Sequence, residues 1–180
     1  LLDKKVSVWD DPSVPLNPGS RMCDDEGVPT AKLPLVHSGV ISHFLYDLQT
    51  AGQAGTTSTG SAHRSLNSLP SPGVSVLVMD TGDVTIDDMV EDMKDGLVVE
   101  DLLGAGQSNV LGGDFNANVL LGFRVKNGRI VGRVKNTLVS GNVYKILKDV
   151  AGVGREAEWM SSSIKLPPLY FKSVSVATKE

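Results

Sequence analysis

Residues 118 to 134 read Asn118-Val119-Leu120-Leu121-Gly122-Phe123-Arg124-Val125-Lys126-Asn127-Gly128-Arg129-Ile130-Val131-Gly132-Arg133-Val134. Asn and Gly tolerate positive φ better than other residues, and a two-residue hairpin turn needs positive φ at both central positions. Strands are therefore expected at 118 to 125 and at 129 to 134, turning at Asn127-Gly128. Arg124, Lys126, Arg129, Arg133 and Lys135 recur at near-alternate spacing, as the solvent side of such a hairpin requires.

Outward from the hairpin, strand signals outnumber helix signals. Toward the N-terminus, Thr85 can cap a helix whose Ile86, Met89, Val90 and Met93 share one face. Asp87 and Asp88 suit the positive end of its dipole, and Gly96 is a stop signal. Strands are expected at 97 to 103, 74 to 79 and 39 to 48, with Val6 to Trp9 as another. Pro12, Pro15, Pro18 and Pro29 make residues 10 to 30 a connector, and the Gly, Ser and Thr content of residues 50 to 65 reads as a surface loop. Toward the C-terminus, a second helix is expected from Ser140–Asn142 to Gly152 or Gly154, carrying Val143, Ile146, Leu147 and Val150. Strands at 156 to 163 and 169 to 177, parted by Pro167-Pro168, close the chain. Without a regular βαβ alternation, the class is α+β: a mainly antiparallel sheet or open barrel with two amphipathic helices, in one domain over residues 1 to 180.

At 180 residues the chain can bury about 70% of the surface its unfolded form exposes, so it needs no staple to fold. Lys and Arg total 17 against 21 for Asp and Glu, and a net charge of -4 argues against nucleic acid or anionic lipid as partner. Cys23 is the single cysteine and no apolar run reaches the ~20 residues of a membrane span, so a soluble, cytoplasmic protein is expected. The chain opens at Leu1 and enters strand-like sequence almost at once, which points to an upstream part.

Few residues offer chemistry. His37, His43 and His63 lie in loop or strand, without the paired His and intervening Glu on one helix face that a zinc peptidase uses. Asp24-Asp25-Glu26 reads as a solvated acidic turn, and Cys23 beside it as a small packing residue. The glycine-dense stretch from 104 to 116 lacks both the P-loop ending and a G-x-G-x-x-G pattern. Its glycines suit close backbone approach, so an extended peptide could pair with a free sheet edge there. On that reading Gly112, Gly113, Asp114, Asn116 and Asn118 face a peptide or partner, while no catalytic and no metal-binding residue is assigned.

Several blocks then occur in one order: Asp24-Asp25-Glu26-Gly27-Val28-Pro29-Thr30, Gly39-Val40 to Tyr46-Asp47, Thr57-Ser58-Thr59-Gly60 and Gly104-Ala105-Gly106-Gln107. Gly113-Asp114-Phe115, Gly122-Phe123, Asn127 to Gly132 and Ser140-Gly141-Asn142-Val143 follow. Together they resemble the C-terminal part of TldD/PmbA proteins over nearly the whole chain. That family, also labelled modulator of DNA gyrase, implies a cytoplasmic two-subunit metallopeptidase acting on flexible peptides. In the TldD subunit an HExxxH helix and a cysteine near the C-terminus hold zinc. The corresponding region here, Gly152 to Met160, has no Cys, and Ser65-Leu66-Asn67-Ser68 stands where TldD has an Arg-Met-Thr-Asn block.

The resemblance therefore implies the PmbA (TldE) side: a non-catalytic subunit with no cofactor of its own, zinc being expected only in a TldD-like partner. Its expected partners are that subunit or a second copy of itself, and a peptide substrate. An independent protein-binding module without proteolytic role is the alternative, and a metallopeptidase in its own right a third reading.

Overall fold

Asn127 and Gly128 have φ of 48° and 74°, and the strands they join pair Lys126 with Arg129 and Val125 with Ile130. The expected hairpin is thus present in the computed structural model of the protein, which describes residues 1 to 178. In chain order the elements are β1 (Val8–Asp10), β2 (Leu33–His37), β3 (Val40–Ile41), α1 (Leu48–Ala54), β4 (Ala62–His63), β5 (Ser71–Pro72), β6 (Leu77–Met79) and α2 (Ile86–Asp92). They continue with β7 (Asp95–Leu103), a 3-10 turn (Ala105–Gln107), β8 (Asp114–Lys126), β9 (Arg129–Arg133), β10 (Thr137–Asn142) and α3 (Val143–Ile146). The last are β11 (Val150–Val153), β12 (Glu158–Ser161), β13 (Ile164–Leu166), β14 (Leu169–Phe171) and β15 (Ser175–Thr178). The class is α+β with open, mostly antiparallel sheets, as the sequence predicts.

The described residues form two compact units, divided between Thr81 and Gly82, between Glu156 and Ala157 and between Pro167 and Pro168. In the first, running from Asp3 to Thr81 and from Ala157 to Pro167, a six-stranded sheet has the order β12-β13-β6-β1-β2-β3, and only β13 with β6 is parallel. Val6, Ala51, Ala62, Val76 and Met79 are buried there. Asp10 is buried too, and its carboxylate accepts from the N–H of Ser75 at 2.9 Å and of Val76 at 3.0 Å. Those two bonds hold the segment leading into β6 beside β1.

The second unit centres on the 13-residue β8, which pairs with β10 over residues 114 to 118, with β7 over 118 to 126 and with β9 over 123 to 126. β15 extends the sheet beyond β10, and β11 pairs with β14 apart from it. Along β8, Ala117 and Val119 are buried and pack with Val139, Leu97, Phe115 and Val174, while Asn116, Asn118 and Leu120 are exposed. This period-2 alternation separates a core face from a solvent face. The basic residues of the hairpin are exposed, as expected, and Arg124 pairs with Asp95 at 3.0 Å.

Three elements depart from expectation. Of the strand expected at 39 to 48 only Val40–Ile41 forms, because the main chain of Tyr46 bonds with Thr59: Tyr46 N–H donates to the Thr59 hydroxyl at 2.8 Å and Thr59 N–H to the Tyr46 carbonyl at 3.1 Å. The expected loop from 50 onward opens instead as helix α1. Asp47 and Thr50 form its capping box, and Gly55 ends it at φ 65°. The second amphipathic helix shrinks to the four residues of α3, because residues 137 to 142 are taken by β10 and Val150 by β11. The helical spacing of Val143, Ile146, Leu147 and Val150 thus spans two elements.

Candidate functional site

The loop entering β8 is tied down by its own backbone and by α3. Asn109 accepts at both ends, its side-chain oxygen from Gly112 N–H at 3.1 Å and its carbonyl from Asp114 N–H at 3.1 Å. Val143 N–H donates to the Gly113 carbonyl at 2.8 Å. Gly113 has φ 77°, and a Cβ there would lie 2.5 Å from Cδ2 of Tyr144, so both backbone and space require glycine. Asn142 completes the link. Its amide donates to Oδ1 of Asp114 at 2.8 Å and to the Gly112 carbonyl at 2.7 Å, while its oxygen caps α3 at Lys145 N–H.

Behind this loop the second unit forms a half-open cavity of about 750 Å³. Leu97, Phe115, Val139, Tyr144, Ile146 and Phe171 are among its walls, and Asp114 is the one charged residue among the described residues lining it. At another wall residue, Tyr170, the hydroxyl donates to Asp92 at 2.9 Å. Burial, and then the Asp92 carboxylate, push that phenol above its ordinary pKa, so it stays a neutral donor. A concave, mostly apolar space of this size with few polar groups is the usual form of a small-ligand or side-chain pocket.

Of the residues read from sequence, the structure brings Gly113 and Asp114 to the cavity and sets Gly112 beside them, bonded to Asn142. Asn116 and Asn118 follow Asp114 at period 2 on the exposed face of β8 and are absent from the cavity wall. β8 pairs with β10 over residues 114 to 118, whereas its pairing with β7 begins at Asn118, so among the described strands none pairs with residues 114 to 117 on the β7 side. Sequence reading missed Asn142 and Tyr144. The capping position of Asn142 before an apolar pair was a usable signal, whereas walls drawn from residues as distant as Leu97 and Phe171 leave none.

The histidines lie in the first unit, each with its own partner. His37 meets the Trp9 ring edge-on at 5.8 Å, and His43 Nδ1 lies 2.9 Å from the Pro34 carbonyl. His63 Nε2 lies 2.6 Å from Nη2 of Arg21, whose Nε donates to Ser75 Oγ at 3.2 Å. Burial first, and then the guanidinium, lower the pKa of His63, so its neutral ring accepts from Arg21. Asp10 is pushed the other way by burial, which outweighs its two N–H donors.

The acidic turn is structural, contrary to its solvated reading. Asp24 is buried and accepts from the N–H of Glu26, Val28 and Ala62. Burial alone would raise its pKa, but those three donors overcome it and hold the carboxyl below the ordinary value. Asp25 accepts from Arg64 N–H at 2.8 Å, and Glu26 from Leu48 N–H at 2.7 Å at the start of α1. Cys23 is exposed, so it is not the packing residue expected of it. Among the described residues, no three His, Cys, Asp or Glu side chains converge as a metal-ligand group. Nor is any helix among them long and apolar enough to cross a membrane.

The family model of the PmbA/TldA metallopeptidase C-terminal domain matches residues 1–178. A metalloprotease of Methanothermobacter thermautotrophicus is 34% identical over 156 residues, covering 87% of this chain and 34% of the relative. Among solved structures, TldE from Thermococcus kodakarensis superposes with a TM-score of 0.88 at 30% identity, over 98% of this chain and 40% of that one. A Thermotoga maritima protein described as a modulator of a DNA gyrase gives 0.86 at 27% identity, again over 98% and 40%. The chain spans about a third of the length of the curated relatives it matches.

Proposed function

The chain belongs to the PmbA/TldD metallopeptidase family, and from that premise we propose that it is a non-catalytic, PmbA/TldE-like subunit of a two-subunit peptidase. It contributes peptide-binding surface, while a TldD-like partner holds the zinc.

The observation that carries this reading is the dispersal of its nitrogen and sulfur donors. A zinc centre needs three or four His, Cys, Asp or Glu donor atoms within about 2.3 Å of one point, and no such group converges among the described residues. His37 is set against Trp9, His43 against Pro34 and His63 against Arg21, and Cys23 stands in a separate bridge with Pro29. The residues from 152 to 160, where a TldD subunit carries its cysteine, include none here. The donor set of this chain does not fit the metal, and no reaction step is assigned to its own residues. The likeness to TldE of Thermococcus kodakarensis supports the same side of the family. We place the complex in the cytoplasm, with peptide rather than nucleic acid as substrate, in keeping with the net charge of -4.

Co-purification of the full-length protein with a TldD-type subunit tests the proposal, with zinc measured on each separated subunit and cleavage of an unstructured peptide followed. The expected result is a complex that cleaves, with zinc only in the partner. Stoichiometric zinc retained by residues 1 to 180 would overturn it. Association with other proteins but never with a peptidase would favour an independent binding module instead.

A further inference from the structure

We propose that β15 is the seam of a symmetric pair, its free edge bonded antiparallel to β15 of a second copy of this chain. The pairing goes beyond the subunit role proposed above and does not depend on it. An unpaired strand edge is a template for a further strand, and proteins guard such edges with charges, proline, bulges or short length. The other edges of the two larger sheets are guarded in these ways. β3 has two residues, and β12 carries Glu158 and a register shift. β9 carries Arg129, Arg133 and a shift, and β7 carries Asp95, Glu100, Asp101 and further shifts. β15 has none of these guards: Ser175-Val176-Ala177-Thr178 is uncharged, free of proline, exposed throughout and paired with β10 in unbroken register.

The register fixes which backbone groups are free. Val143 N–H donates to the Gly113 carbonyl, and β8 and β10 run on from there without a shift, so Gly141 and Val139 bond to β8 while Ser140 and Leu138 turn to β15. Val176 stands opposite Val139 and Thr178 opposite Thr137, so the N–H and carbonyl groups of Val176 and Thr178 point away from β10. The side chains choose the occupant. Ala117, Val139 and Val176 form one row across three strands, with relative exposures of 1%, 5% and 48%, and Val139 and Val176 both line the apolar cavity. The row thus passes from buried to half-exposed and stops at Val176. A two-fold axis at Val176 sets it against the same residue of the second copy and continues the row, with no like charges brought together. Nothing on this edge selects a charged partner, whereas an identical uncharged edge matches it.

The test uses the full-length protein alone and reads its mass by sedimentation equilibrium from about 1 to 100 µM, the range that a short seam predicts. A concentration-dependent dimer is expected. V176K, which opposes two like charges at the axis, should weaken association about ten-fold, while I130K on the guarded edge of β9 leaves it unchanged. In a Cys23→Ser background, V176C should cross-link the dimer on oxidation and I130C should not, because Cα atoms of directly opposed residues lie about 5.5 Å apart, within reach of a disulfide. V176K should melt with the unaltered protein at the lowest concentration, and should it fail to fold, the cross-link decides. A monomer at every concentration overturns the proposal, as does a dimer that a folded V176K leaves intact or that V176C does not join. No TldD-like subunit enters the measurement, so a monomer leaves the proposed subunit role standing, and zinc found in this chain would leave the seam standing.

Discussion

The side-chain amide of Asn142 donates to Oδ1 of Asp114 at 2.8 Å, joining the end of β10 to the first residue of β8. The same amide reaches the Gly112 carbonyl, and the Asn142 oxygen caps Lys145 N–H. Asn142→Ala removes all three bonds, one of them to a charged group. A loss of about 2 kcal/mol is expected, together with freer motion of the loop that presents Asp114. Urea unfolding measures the first, and amide exchange at Gly113 and Asp114 the second.

Gly113→Ala should cost more than a surface glycine usually does. The residue sits at φ 77°, and the new Cβ would be driven into the Tyr144 ring at 2.5 Å. Strain in the left-handed region and overpacking add to roughly 3 kcal/mol. Gly106 has open space at its Cβ position and no such φ, so Gly106→Ala is the matched control. Thermal melts of the two variants should separate clearly, and equal melting temperatures would contradict the packing described for Tyr144.

Asp24 is predicted to be the costliest carboxylate to remove from the first unit. Its side chain gathers the N–H groups of Glu26, Val28 and Ala62, which Ala would leave without an acceptor. A loss of about 3 kcal/mol is expected for Asp24→Ala, against a smaller one for Asp24→Asn, which keeps one acceptor oxygen. Because the folded pKa of Asp24 lies below its ordinary 3.8, the stability it gives is present above that pH and is lost as pH falls through the folded value. Denaturant midpoints of both variants, compared at neutral and acid pH, check size and sign together.

What could be read from sequence was what depends on neighbouring residues. Asn127-Gly128 specifies its turn through φ alone, and Thr85 with Ile86, Met89 and Val90 specifies a cap and a face within two turns of helix. The failures occur where local signals conflict or where distant chain decides. Helix α1 carries Thr50 and Gly52, both poor helix formers, so composition hid it even though Asp47, Thr50 and Gly55 spelled its caps. An accidental helical spacing that starts at Val143 runs on into β11 and lengthens the expected helix, while β10, which holds none of those residues, is identified only by its pairing with β8 and β15. Similarly, Asp114 stood out in a glycine-rich stretch, but its cavity is assembled from β7, β8, β10, α3 and β14, and no short window of sequence contains that meeting.

His63 supplies a pH dependence with a definite sign. Its ring accepts from Arg21 at 2.6 Å, and burial together with that guanidinium places its folded pKa below the ordinary 6.5. The unfolded chain therefore takes up a proton that the folded chain refuses. The stability His63 gives is whole above pH 6.5, begins to fall as pH drops through that value, and is fully lost below the folded pKa. Asp10, raised by burial, acts in the opposite direction at more acid pH: the folded form protonates first and gains relative stability as pH falls toward 3.8. NMR titration of the ring carbon protons should give His63 a midpoint below 6.5, and Arg21→Gln should move that midpoint upward by removing the second cause of the shift. The first unit of Arg21→Gln should also lose its own bonds to Ser75 and Asp25, so the titration rather than the melting temperature is the decisive reading. A midpoint at or above 6.5 in the unaltered protein would mean that the Arg21 to His63 hydrogen bond does not form in solution.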